Sequence, residues 1–374
     1  MRVVQQPISY NEFNEKYRPI IKADITNIIK KPEIEKNRKK ATIFLGLTLG
    51  FLVLFIIFTI ILVFTFSSAP GYDDSAKLLV LMSLMMLVLL LCVLFGVLWG
   101  KFRNKLFKLL KYEIGQLDYF RVLFKKMGLK FAPTSLAERR IYDEDLDLQN
   151  AYKEHFDTIR QPIRNYEKYL VNYAGIPAEA TIVSRGQQYF IADEWNNNWM
   201  MQMLTFHWVY TIYDHTNKTT RKVDCYKTVF AMEGVYAKVP NDNYFTFSMG
   251  TRCALNGNQK PNVNLENVAF NKAFHIYTND QVKIRQAFTP LAMETALNHV
   301  NQNIKVIPAG FGLQYSDHIV RSWFIPKGDP LKIDLPAVRL SMNKVIEFVV
   351  NDIINGIYSI YWVISLFNIP PMFY

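Results

Sequence analysis

Two uninterrupted apolar runs dominate the hydrophobic pattern, 41–66 and 76–100, with a short polar turn, 67–75, between them. The first run carries no charged residue, and the second carries only Lys77, at its start. A membrane-spanning helix needs about 20 apolar residues, and tilt absorbs a modest excess. The pattern therefore predicts a transmembrane helical hairpin. Before it, Phe13, Tyr17, Ile20, Ile21, Ile25, Ile28 and Ile29 recur at helical spacing around Pro19. That spacing predicts an amphipathic arm over 1–40, lying on the membrane surface or on a soluble domain, or else a solvated arm with one packed face. After the hairpin, Leu106, Leu110, Ile114, Leu117, Phe120 and Phe124 form a helical stripe. The second span is expected to continue as helix through 101–131. Pro133 stops that pattern, and Ser135 with Glu138 has capping-box spacing for a further helix reaching about Tyr173.

From 178 the period changes from helical to alternating. Strands are expected at 178–191, 203–214, 223–239, 244–249, 274–277, 306–312 and 319–325. Turn signals lie at 214–217, 240–243 and 256–258. A helix is expected at 289–301, and a long one at 335–367. Because the strands cluster instead of alternating with crossover helices, the fold class is α+β on antiparallel sheet. The chain reads as an N-terminal arm (1–40), the hairpin (41–100), membrane-proximal helices (101–174), a mixed domain (175–334), and a C-terminal helix and tail (335–374). Segment 353–369 is uncharged and near the lower length limit for a span. It also holds Asn355, Gly356, Ser359, Ser365 and Asn368, poor material for hydrocarbon. A helix packed in the protein core or against another subunit is favoured there over a third span.

Charge sharpens the topology. The formal net charge is +11, which by itself points to nucleic acid or an acidic membrane. Basic residues bracket the hairpin: Lys30, Lys31, Lys36, Arg38, Lys39 and Lys40 before it, and Lys101, Arg103, Lys105, Lys108 and Lys111 after it. The turn holds Asp73 and Asp74. By the positive-inside rule both flanks, and so both termini, are cytoplasmic, and anionic headgroups reinforce the contact. The bilayer accounts for the charge, and no basic stripe with interleaved aromatics indicates nucleic-acid binding. The first apolar run starts too late and runs too long for a cleavable signal peptide. Cys92, Cys225 and Cys253 contain no CxxC pair, so neither a disulfide framework nor a zinc ribbon is expected.

Motifs for catalysis are missing. The sequence contains no phosphate-binding loop, nucleophile elbow, HExxH or EF-hand loop. Of the six histidines, His207 and His215 share one strand-like stretch, but no third metal ligand accompanies them. Asp143, Glu144, Asp145 and Asp147 read as a solvated helix face. The one candidate binding loop is Asp193, Glu194 and Trp195, followed by three asparagines and Trp199. A polar hairpin tip with tryptophans anchored in the core explains the same residues. No catalytic residue, metal or cofactor is nominated, and catalysis is not expected.

The most distinctive stretch is 265–294, LENVAFNKAFHIYTNDQVKIRQAFTPLAME. Glu266, Phe270, Phe274, Tyr277, Asp280, Arg285, Thr289, Pro290 and Met293 carry its pattern. It resembles an uncharacterised bacterial family of double-spanning membrane proteins, known only as a domain of unknown function. The resemblance implies a cell-membrane location and a partner of the LemA type. Physically the stretch reads as strand, turn and helix. Phe270 and Phe274 would lie under the sheet, Asp280 in the turn, and Arg285 would pair with Asp280 or Glu266. Thr289 and Pro290 would open the helix, and Met293 would face the core. Packing accounts for each of these residues. The expectation is a membrane-anchored scaffold or complex subunit, as a homo-oligomer or with other membrane proteins. The alternatives are a lipid- or small-ligand-binding module whose cleft lies between sheet and C-terminal helix, and an enzyme.

Overall fold

The computed structural model describes residues 7–68, 75–116, 119–133, 170, 174–193, 197–214, 216, 218–235, 245–251, 260–302, 306, 308, 310–316, 319–333, 335 and 341–373. They fall into two compact units. One comprises Tyr17–Leu117 and Ile333–Asn351, and the other Met1–Lys16, Asp118–Lys332 and Asp352–Tyr374.

The first unit is helical. It takes most of α1 (Tyr10–Ile29), all of α2 (Pro32–Ser68) and α3 (Ser75–Gln116), and the start of α8 (Met342–Phe373). Pro32 opens α2, where its missing N–H costs nothing, with Glu33 and Glu35 favouring the positive end of the helix. α2 and α3 form the expected hairpin. Its seam is a stack of rings: Phe44 lies 6.1 Å from Phe95 and 5.4 Å from Phe102, and Phe51 lies 5.4 Å from Phe95. The hydroxyls of Thr48, Thr59 and Ser83 donate to carbonyls one turn earlier in their own helices, which satisfies them without water. The outward faces are exposed: Leu90 is 66 % exposed and Val97 66 %. α1 buries Tyr17, Ile21, Ile25, Ile28 and Ile29. Its Arg18 and Lys22 both pair with Glu347 of α8, and Arg18 also donates to the Asn351 Oδ1 at 2.8 Å.

At 42 residues α3 is about 63 Å long, twice a hydrocarbon core. Helix does not persist to 131 as the stripe suggests. α4 (Tyr119–Lys126) ends where the Leu129 N–H bonds the Phe124 carbonyl and the Gly128 N–H bonds that of Lys125. Gly128, at φ +76, supplies the left-handed residue this Schellman closure requires. The chain then enters β1 (Lys130–Pro133), a strand that the helical stripe conceals.

The second unit is built on an eight-stranded antiparallel sheet, ordered β1-β2-β3-β4-β8-β7-β5-β6. The other strands are β2 (Thr181–Ala192), β3 (Asn198–Asp214), β4 (Thr219–Val235), β5 (Thr246–Gly250), β6 (His275–Thr278), β7 (Phe311–Ser316) and β8 (Ile319–Phe324). β3 begins before 203 because Trp199 pairs with Gly234, which leaves room for its ring. A Cβ there would lie 2.3 Å from the Trp199 Cδ1. β7 begins at Phe311 instead of 306, after Pro308, which has no N–H for a ladder. The capping box at 135–138, the carboxylates at 143–147 and the turn signals at 240–243 and 256–258 lie outside the described residues.

One face of the sheet buries Met200, Leu204, Phe206, Val229, Ala231 and Trp323 with Leu170, Ala174 and Ile176. Elsewhere in the unit lie α5 (Val268–Ala273), α6 (Gln281–Ala287), α7 (Pro290–Val300) and the remainder of α8. Phe311 of β7 meets Trp362 at 5.7 Å and Phe367 at 6.3 Å. Ile354, Tyr358, Trp362 and Phe367 are fully buried. The favoured reading of 353–369 as a packed helix agrees with this burial, although the helix runs from 342 to 373 and not from 335 to 367. At Gly356 the carbonyl of Pro330 approaches so closely that a Cβ would stand 2.1 Å from its oxygen.

β3 and β4 extend well past the rest of the sheet. They pair in unbroken register from Asn198↔Val235 to Asp214↔Thr219. β2 accompanies β3 only as far as His207, and β8 accompanies β4 only over Phe230–Val235. Among the described residues the remainder is a two-stranded ribbon paired only with itself.

Candidate functional site

Of the candidate loop, Asp193, Asn197 and Trp199 are buried. The Asp193 N–H donates to the Asn197 carbonyl at 2.9 Å, and the Asn197 N–H and Nδ2 donate to the two carboxylate oxygens, each at 2.9 Å. The Asn368 Nδ2 of α8 also donates to the Asp193 Oδ2, at 3.3 Å. The carboxylate thus closes the β2–β3 connection and ties it to α8, and Trp199 is fully buried. Glu194 and Trp195 lie outside the described residues.

The motif at 265–294 folds as helix, strand, helix and helix, not as strand, turn and helix. Short helices escape a periodicity reading because six or seven residues show less than two turns. α5 is opened by Asn267, whose side chain accepts from the Phe270 N–H. Phe270 stands 4.5 Å from Phe274 and 5.5 Å from Phe288, all three buried. Tyr277 lies in β6, half-buried. Asp280 caps α6 and accepts from the N–H groups of Val282 and Lys283 at 2.9 and 3.0 Å. The Lys283 amide bond, helped by that of Val282, holds its carboxyl below the usual carboxylate range. Arg285 pairs with Glu266 at 3.3 Å and donates to the Gln281 carbonyl at 2.6 Å. Thr289 caps α7, Pro290 occupies its first turn, and Met293 is buried.

Two polar arrangements are invisible to motif searching. On one sheet face, Glu233 of β4 stands opposite Arg321 of β8, which stands opposite Gln314 of β7. The Arg321 Nε donates to the Glu233 Oε1 at 3.1 Å, while Glu233 Oε2 and Gln314 Oε1 are buried with no hydrogen-bond partner among the described residues. Burial pushes the Glu233 carboxyl up, against the opposing pull of Arg321. In α7, His299 stacks on Trp362 at 5.1 Å. Only the strand register and helix packing bring these residues together, so spacing gave no signal for them.

His207 bonds Asp224 at 2.8 Å across the ribbon, and His215 lies outside the described residues. No group of three metal-ligating side chains occurs among the described residues. Cys92 and Cys225 are free thiols. Of the basic residues that flank the hairpin, Lys39 pairs with Glu35 at 2.9 Å, Lys40 lies over the Phe102 ring, and Arg103 lies over the rings of Trp99 and Phe107. Lys101 and Lys105 are exposed and Arg38 is half-buried. α2 and α3 are each long and apolar enough to cross a membrane, as is α8 by length and composition alone.

Residues 206–314 match the family model described as protein of unknown function (DUF3137). The match contains the whole 265–294 stretch and agrees with the resemblance read from it. No curated protein matches the chain, and no solved structure does.

Proposed function

We propose that this chain is a membrane-anchored scaffold or complex subunit, held by the α2–α3 hairpin and presenting the α+β unit in the cytoplasm of a bacterial cell. The observation that carries the reading is a contrast in burial. The hairpin's apolar faces are exposed, while α8, of comparable length, buries its apolar side chains within the protein. Exposed apolar helix faces of this length suit lipid. Two spans gain stability by packing against further spans, so the partners are further copies or other membrane proteins, including one of the LemA type. The basic residues at both hairpin ends favour cytoplasmic termini. Native mass measurement of the full chain in lipid nanodiscs tests the proposal: an oligomer or a stoichiometric second protein supports it, and bare monomer overturns it.

A second reading, binding of a lipid or small ligand, draws on one observation. The buried acceptors Glu233 Oε2 and Gln314 Oε1 have no donor among the described residues, and a bound group bearing N–H or O–H would supply one. Denaturing release of a stoichiometric small molecule, lost on Gln314→Leu, is the outcome this reading expects. A purified chain that releases none contradicts it.

A further inference from the structure

Among the described residues, the ribbon formed by the outer halves of β3 and β4 exposes apolar side chains and a strand edge that no other strand pairs. Tyr210 is 47 % exposed, Ile212 44 % and Tyr226 65 %. A two-stranded ribbon without a layer beneath it is marginal in water, and an open edge is a template for another strand. Among the described residues no strand other than β3 pairs with β4 over 219–229, since β8 begins to pair only at Phe230; within that stretch the Lys227 side chain donates to the Ala174 carbonyl. Cross-strand pairs such as Thr205 with Thr228, 3.0 Å between hydroxyls, hold the ribbon itself together.

The edge sequence is Thr-Thr-Arg-Lys-Val-Asp-Cys-Tyr-Lys-Thr-Val. Two copies meeting antiparallel across a two-fold axis must place one residue opposite itself, so only a few registers exist. Centring on Arg221, Lys222 or Asp224 sets like charges face to face, which is unfavourable. Centring on Val223 sets Lys222 opposite Asp224 twice, Thr220 opposite Tyr226, Arg221 opposite Cys225 and Thr219 opposite Lys227. No like charges then meet. Val223 lies opposite Tyr210 on β3, so this register also joins the exposed Tyr210–Val223 rows of the two copies into one apolar row.

We propose that the outer edge of β4, 219–227, pairs with the same edge of a second copy, in the antiparallel register centred on Val223. The occupant is a second copy because the charge pattern is complementary to itself in that register. This deepens the scaffold reading and rests on it for the benefit of self-association. A short strand-to-strand contact is small for an interface, and confinement of two copies to one membrane raises their effective concentration.

The test is disulfide trapping of the full chain in its membrane, with Cys92, Cys225 and Cys253 replaced by Ser. After mild oxidation Val223→Cys is expected to give a covalent dimer, and Thr219→Cys, displaced from the axis by four residues, is not. Lys222→Asp in the Val223→Cys background is expected to lower the trapped dimer about tenfold by opposing like charges twice, and adding Asp224→Lys to restore it. Equal trapping at 219 and 223, no trapping at 223, or indifference to the charge reversals overturns the pairing. Oligomers in nanodiscs without trapping at Val223 would overturn this edge and leave the scaffold reading standing, whereas monomers in both would remove both.

Discussion

His299 and Trp362 hold each other through a reciprocal pair of bonds. The His299 Nε2–H donates to the Trp362 carbonyl at 2.9 Å, and the Trp362 Nε1–H donates to the His299 carbonyl at 3.0 Å. The pair joins α7 to α8 and fixes the imidazole as the Nε2–H tautomer, leaving Nδ1 buried and without a partner. Burial, only partly opposed by the bond to Trp362, lowers His299 to about 4. The unfolded chain titrates near 6.5. Between those values the unfolded state takes up a proton that the native state refuses. Stability is therefore complete above pH 6.5 and falls as pH drops toward 4. The loss amounts to about 3 kcal/mol. Thermal unfolding in detergent from pH 7 to 4 is expected to show this fall, and His299→Phe to flatten it.

Gly356 decides where α8 belongs. A methyl group there meets the Pro330 carbonyl, which is backbone and has little freedom to retreat. Gly356→Ala is expected to cost about 3 kcal/mol, read as a lowered thermal midpoint. An α8 surrounded by lipid would accept the same substitution without loss.

Glu233 is only 2 % exposed, and the Arg321 side chain that pairs with it is 21 % exposed. Removing one partner strands a buried charge, whereas removing both leaves an apolar patch. Arg321→Met is expected to destabilise by about 3 kcal/mol, and Glu233→Met with Arg321→Met to recover most of that loss. Denaturant midpoints of the two variants provide the comparison.

The helix caps of the 265–294 stretch outweigh its exposed ion pair. Asp280→Ala and Thr289→Ala are each expected to cost about 1 kcal/mol. Arg285→Ala, which removes a pair with Glu266 that is largely open to solvent, is expected to cost less than about 1 kcal/mol. Unfolding midpoints of the three variants would reverse this order if Arg285 were the keystone of the motif.

The elements that sequence made legible share a long period or a strong cap. The hairpin is written in two runs of apolar residues, the β3–β4 pair in alternation, and α7 in Thr289-Pro290. Short elements were concealed: α5 and α6 complete less than two turns each, and β1 sits behind the Leu106–Phe124 stripe until Gly128 reverses the chain. For the site, Asp193 looked available for a ligand because its bonds to Asn197 and Asn368 cannot be inferred from spacing. Glu233, Arg321 and Gln314 are far apart in sequence and adjacent only through strand register. The self-complementary Lys-Val-Asp edge becomes visible only when β8 is seen to stop at Phe230.

The central claim is that α2 and α3 cross the membrane while α8 packs inside the protein, which puts both termini on one side. Protease digestion of a chain tagged at both ends, in sealed inverted vesicles, tests this directly. The account predicts that both tags are removed together, and that both survive in intact cells. An N-terminal tag removed while the C-terminal tag is protected would contradict it and make α8 a third span.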